Sequence, residues 1–362
     1  MERLFKYITR KNEIDIEDIE YTRNIKYSRD IANLVFMSPN IIKKVQNSRF
    51  NIYKYSNIFN AIIIDLEIYE PIDIDNNDNN DNNYITESEF IKNIVLRIYK
   101  LCHLSHEPKL KQLDITIFLL DDKKQLPTTN NTTIGIDEVN SGCSIVNGIN
   151  NKIYIWRLEE VYKVLIHELI HSLDLDPIQD DNQYDILFKS QFSYCFDSLN
   201  LFEAYVEFWA TILNLLFLMS EHEFDLNLLP VLVEKEIEFS FKQTAHILKF
   251  YNIHHFDDLY HFDDFDDLHQ ASKCKFVDTE TSVFMYYFGK LLLLCRCENV
   301  FSLCEDYSVD YIINIVKSKE FTDKIIEIMM SALTLTNISD INWYLENHNY
   351  NYYNSLRMTY FG

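Results

Sequence analysis

Residues Arg157–Leu175, RLEEVYKVLIHELIHSLDL, leave this chain few ways to fold. Val161, Val164, Leu165, Leu169 and Leu173 recur at helical spacing, no Gly or Pro interrupts them, and Pro177 lies just beyond. Glu159 and Glu160 are read into the first turn, where acidic groups suit the helix dipole. The run predicts a buried helix, and that helix carries His167-Glu168-Leu169-Ile170-His171. Positions i and i+4 share one face, so both imidazoles can converge on one ion, with Glu168 beside them. Zinc accepts imidazole nitrogen in a tetrahedral site, a catalytic site keeps one position for water, and a neighbouring carboxylate can take that water's proton. The competing reading is a pair of core histidines satisfied by hydrogen bonds.

The length of 362 residues supports a large core in two or three subdomains. A net charge of -23 argues against phosphate backbones and anionic membranes, so neither nucleic acid nor a membrane is an expected partner. MERLFKYITRKNEIDIED lacks a signal-peptide core, and Ala210–Met219 and Leu291–Cys295 are shorter than about 20 residues, so the expectation is a soluble, cytoplasmic protein. The 7 cysteines are odd in number and scattered, which favours reduced thiols; Cys295-Arg296-Cys297 has no second pair. Only 5 Gly and 6 Pro accompany abundant Ile, Asn, Asp, Tyr and Lys, a usage found with AT-rich genomes such as those of some amoebae and their large DNA viruses.

Met1–Ser48 is mixed and charged, with a helix expected over Ser28–Phe36 before Pro39. The β-branched run in Ala61–Ile68 reads as a strand, followed by DIDNNDNNDNN at 73–83, a polar low-complexity insertion. Glu87–Leu104 is helical by period, Leu113–Leu120 is a strand, and Gly142–Val146 and Lys152–Trp156 flank Asn147-Gly148 as a hairpin. Beyond residue 201 the periodicity is helical: Leu201–Ala210, Val231–Phe250, Thr279–Cys295, Val309–Lys317 and Lys324–Thr334. The aspartate- and histidine-dense stretch from His254 to His269 reads as a solvated repeat, and Tyr286 and Tyr287 as core residues that a cleft can also use.

Helix, strand, hairpin and HExxH helix, in that order, resemble the amino-terminal half of the zincin metallopeptidases. The resemblance runs from about Glu87 to Ala210 and implies an α+β zincin-like fold with a mostly helical carboxy-terminal subdomain. Its boundaries would be an amino-terminal region 1–48, a zincin subdomain 49–176 and a helical subdomain 177–362. Gluzincins take a third zinc ligand from a glutamate in E-x-x-x-D/E on a second helix, which Glu203 and Glu207 match. By that resemblance His167, His171 and Glu203 hold one Zn2+ per chain, Glu207 orients a ligand histidine, and Glu168 is the base of peptide hydrolysis. Two carboxylates at i, i+4 on a helix lined by Leu201, Phe202, Val206 and Trp209 would also be costly to bury without partners. The outer strand would pair with a peptide or protein substrate at Asn140, Gly142 and Ser144. Tyr194, nine residues before Glu203, resembles the oxyanion-stabilising tyrosine of thermolysin-like members, with His254, His255 and Tyr205 as rivals. Metzincin spacing fails, since Asp174 and Pro177 stand where Gly and His belong; Asp174, Asp176 and Asp185 remain as alternative ligands. The rival function is a catalytically inactive zincin scaffold, for example within a virus particle.

Overall fold

The computed structural model describes residues 1–10, 19–27, 29, 31, 33–72, 88–105, 109–127, 133–177, 194–196, 200–259, 276–278, 281–305, 318–333, 335–347 and 355–361. The 73–83 insertion, Asp185, Val309–Lys317 and residues 260–275 therefore lie outside the described residues. The chain is mixed α+β and divides into two compact units, one of Arg3–Lys123 and Asn140–Leu175, the other of Lys124–Val139 and Asp176–Phe361.

The first unit contains α1 (Glu2–Thr9), β1 (Glu20–Lys26), α2 (Pro39–Asn47), β2 (Arg49–Phe59), β3 (Ile62–Pro71), α3 (Ser88–Leu104), β4 (Gln112–Phe118), β5 (Gly142–Ile145), β6 (Asn150–Ile155) and α4 (Val161–Ser172). Its sheet has the order β1-β2-β3-β4-β6-β5, with β3, β4 and β6 parallel and the flanking pairs antiparallel. Alternation builds one apolar face from Ile62, Ile64, Leu66 and Ile68 of β3 with Leu113, Ile115 and Ile117 of β4. The opposite face carries Asp65, Glu67, Asp114 and Lys152 around a cavity of about 640 Å³. A separate hydrophobic cluster in this unit gathers Tyr27, Met37, Val45, Phe50, Phe118 and Trp156.

No helix forms among the described residues of Ser28–Phe36. Instead Ser38 caps Ile41 N–H and Pro39 opens α2, because proline's missing N–H and fixed φ suit the first helical turn. The β2–β3 turn uses Asn60 and Ala61 at φ 49 and 65, a two-residue hairpin made without glycine. The Asn60 side chain also donates to Cys102 O and Ser105 O at the end of α3, at 2.9 and 3.0 Å. Helix α4 is shorter than its apolar period suggests. Glu160 stands before it in the left-handed region with φ 62, so neither Glu159 nor Glu160 is in the first turn. At the other end Asp174 N–H bonds His171 O and Leu175 N–H bonds Ile170 O, with Asp174 at φ 56, which is a Schellman stop.

The second unit holds β7 (Tyr194–Phe196) paired in parallel with β8 (Phe276–Asp278), and the helices α5 (Leu201–Glu221), α6 (Leu229–Phe250), α7 (Lys290–Leu294), α8 (Cys297–Glu305), α9 (Lys319–Ser331) and α10 (Leu335–Asn347). A π-helical turn, Met285–Gly289, leads into α7. By length and composition α5 could cross a membrane, with mean hydropathy 1.5, but 83% of that stretch is buried inside the fold. A helix apolar on all sides is then the core of its unit. An added Cβ on Gly289 would meet Ala204 Cβ at 2.7 Å, so only glycine lets the π-turn approach α5 this closely.

Candidate metal centre

Nearly every residue of α4 is buried, including His167 at 8% exposure and Glu168 at 6%. The two Nε2 atoms of His167 and His171 lie 3.2 Å apart, with the rings at 71°. Metal–nitrogen bonds of about 2.0–2.1 Å in a tetrahedron put two nitrogens about 3.3 Å apart. The observed separation thus fits a shared ion.

Glu168 and Val164 share a face of α4 one turn apart, and that face meets β5. Ser144 Oγ donates to Glu168 Oε2 at 2.5 Å and lies 3.1 Å from Glu168 O. A Cβ on Gly142 would stand 2.8 Å from Glu168 Oε1 and 2.9 Å from Val164 Cγ1. Asn151, 2% exposed, fixes the hairpin to α4: it accepts Asn147 and Gly148 N–H at 2.9 and 3.1 Å and donates to Ser172 O at 2.7 Å.

On α5, Glu203 occupies the first turn and receives Asn200 Nδ2 at 3.3 Å. Glu207, one turn on, is buried at 2%. Two imidazoles one helical turn apart are donors that divalent transition metals accept.

The structure brings His167 and His171 together on α4 of the first unit, with Glu168 next to the first histidine in the chain, and sets Glu203 and Glu207 one turn apart on α5 of the second. It places Gly142 and Ser144 on edge strand β5, and Asn140 ahead of them, where its carbonyl accepts Trp156 Nε1 at 3.1 Å. Tyr194 has its backbone in β7, and its side chain falls outside the described residues. Tyr287 is a core residue whose hydroxyl donates to Leu356 O at 2.5 Å. Asp174 is exposed in the α4 stop. Sequence reasoning missed Gly289; a lone glycine inside an apolar run was the available signal.

No family profile matches this chain, and no solved structure matches it. It is 24% identical over 204 residues to an uncharacterized protein of Acanthamoeba polyphaga mimivirus, covering 50% of this chain. The chain spans about half the length of that curated relative, 52%.

Proposed function

We propose that the chain is a zinc-dependent peptidase of gluzincin type. The observation that carries this reading is the His167 and His171 pair, whose Nε2 atoms lie 3.2 Å apart, with Glu168 inside the same HExxH. The order α3, β4, β5–β6 hairpin, α4 supports it, being that of the zincin amino-terminal half. The mimivirus likeness supports an origin in a large DNA virus.

His167, His171 and Glu203 would hold the ion, and Glu207 would restrain a ligand histidine from the next turn of α5. When bound, zinc polarises the scissile carbonyl and lowers the pKa of water towards about 7. Glu168 takes the proton of the attacking water and returns it to the leaving amine. The substrate pairs along β5. Trp156 N–H bonds Ser141 O, so residues 141, 143 and 145 direct their backbone groups to β6, while Gly142 and Ser144 direct theirs to the outer edge, which no other described strand pairs. An extended peptide adds to such an edge through main-chain hydrogen bonds.

Zinc titration against a chelator, alongside a peptide-library digest, tests the reading. Glu168→Gln should keep one zinc per chain and lose about 100-fold or more of the activity. Glu203→Ala should nearly abolish zinc binding, and Glu207→Ala should weaken it about 10–100-fold. A folded wild-type chain that takes up no zinc would overturn the reading and favour an inactive scaffold. Equal, small losses at Glu203 and Glu207 would move the third ligand elsewhere.

A further inference from the structure

The two β5 residues that face α4 are both shaped around one carboxylate. Gly142 and Ser144 are separated by one residue, so they share a face of the strand, while Cys143 turns to the opposite face and joins the aromatic cluster. Below that face sits Glu168. One of its oxygens receives the Ser144 hydroxyl at 2.5 Å, and the other occupies the space that a side chain at position 142 would need. A buried carboxylate on a helix keeps several rotamers open unless its surroundings remove them. Here the hydroxyl holds one oxygen by a charge-assisted hydrogen bond, and bare Cα leaves room for the second.

We infer that Gly142 and Ser144 are positioning residues: the Gly-x-Ser of the edge strand is a seat that fixes the Glu168 carboxylate for proton transfer. The inference rests on the peptidase reading for its role, though the seat itself does not. It also revises the part expected of these residues, which is to hold the base rather than to touch substrate with their side chains. Their backbone groups point to the outer edge of the sheet at the same time. A peptide paired along β5 therefore bonds the residues that hold the base, so substrate alignment and base alignment share one short strand.

Two measurements test this. The first needs neither metal nor activity: a double-mutant cycle of Ser144→Ala and Glu168→Ala in chelator-treated protein, read as urea midpoints. The double variant should lose clearly less than the sum of the single losses. Additive losses would overturn the seat whatever the protein does. The second is kinetic, on zinc-loaded protein. Ser144→Ala should lower kcat about 10–100-fold with KM within about twofold, and Ser144→Thr, which restores the hydroxyl, should recover most of it. Gly142→Ala should lower kcat as well, without rescue. Unchanged kcat in Ser144→Ala, while Glu168→Gln is inactive, would overturn the positioning role and leave the peptidase reading standing. A zinc-loaded wild type that cuts no peptide would overturn the reading and the positioning role together, and the cycle alone would then report the seat.

Discussion

Glu236→Ala should cost the second unit about 3–5 kcal/mol, because Glu236 is the buried acceptor on which the last described residues are hung. It is 0% exposed; its carboxylate accepts Tyr360 N–H at 3.1 Å to each oxygen, Phe361 N–H at 3.3 Å and the Thr359 hydroxyl. Lys290, 1% exposed, donates to Met358 O and attracts the same carboxylate. A hydrogen bond to a charged group contributes about 1.5–3 kcal/mol, but burying the carboxylate costs part of that back. Truncation to alanine also removes the attraction between Glu236 and buried Lys290, which sets the upper figure. Glu236→Gln keeps one acceptor oxygen and should cost about 1–2 kcal/mol. Burial raises the Glu236 pKa above its ordinary 4.5 despite Lys290, Thr359 and the amides of Tyr360 and Phe361. A raised folded pKa contributes stability that is complete below 4.5 and is lost as pH rises through the folded value. The difference between wild type and Glu236→Gln should accordingly narrow with rising pH. Urea unfolding from about pH 4 to about pH 8 measures both effects. A loss below about 1 kcal/mol in Glu236→Ala would refute the argument, since it would mean that these amides find equal partners in water.

Two further outcomes follow from the first unit. Lys100 is 1% exposed and donates to Tyr7 O and Arg10 O at 2.8 and 2.9 Å, and burial together with Arg10 lowers its pKa from 10.5 to about 8. The folded chain then releases this proton before the unfolded chain does, so stability should rise with pH between about 8 and 10.5, and Lys100→Met should remove that slope in thermal melts. Asn151→Ala should cost about 2–4 kcal/mol in denaturant unfolding, because it frees the hairpin amides and the Ser172 carbonyl together; a loss under about 0.5 kcal/mol would show that the turn holds itself.

Much of the first unit was legible because its signals were local. The apolar runs of β3 and β4, the period of α3 and the Asn147-Gly148 turn each act within a few residues, and the structure forms each element close to its expected place. The losses occurred where punctuation was unusual. Asn60-Ala61 turns a hairpin without glycine, so β2 was not separated from β3. Ser38-Pro39 reads as a stop in the sequence and is a start in the structure. Helices α4, α5 and α6 end on Asp174, Glu223 and Asn252, all at positive φ, where a reader of sequence looks for glycine. Each such residue is strained by about 1–2 kcal/mol relative to glycine, a cost that the Schellman hydrogen bonds offset.

The site divides along the same line. His167 and His171 declare themselves because one helical turn relates them, and Glu203 with Glu207 repeats that logic on α5. What surrounds Glu168 does not declare itself: Ser144 is 24 residues away in the chain and meets the carboxylate only through the placement of β5 against α4. Glycine usage gives a retrospective clue. The chain has only 5 glycines and does without one at three helix ends where glycine would relieve strain. Yet it has glycine at 142, where any side chain would strike Glu168, and at 289, where any side chain would strike Ala204, the residue after Glu203. Strain at a helix end can be offset by hydrogen bonds, whereas a Cβ within 3 Å of a packed atom must displace it. In a glycine-poor chain the glycines that remain inside strands and helices therefore mark places where backbone and a functional segment must touch, and here Gly142 lies against the residue proposed to move the proton and Gly289 against the helix that carries Glu203.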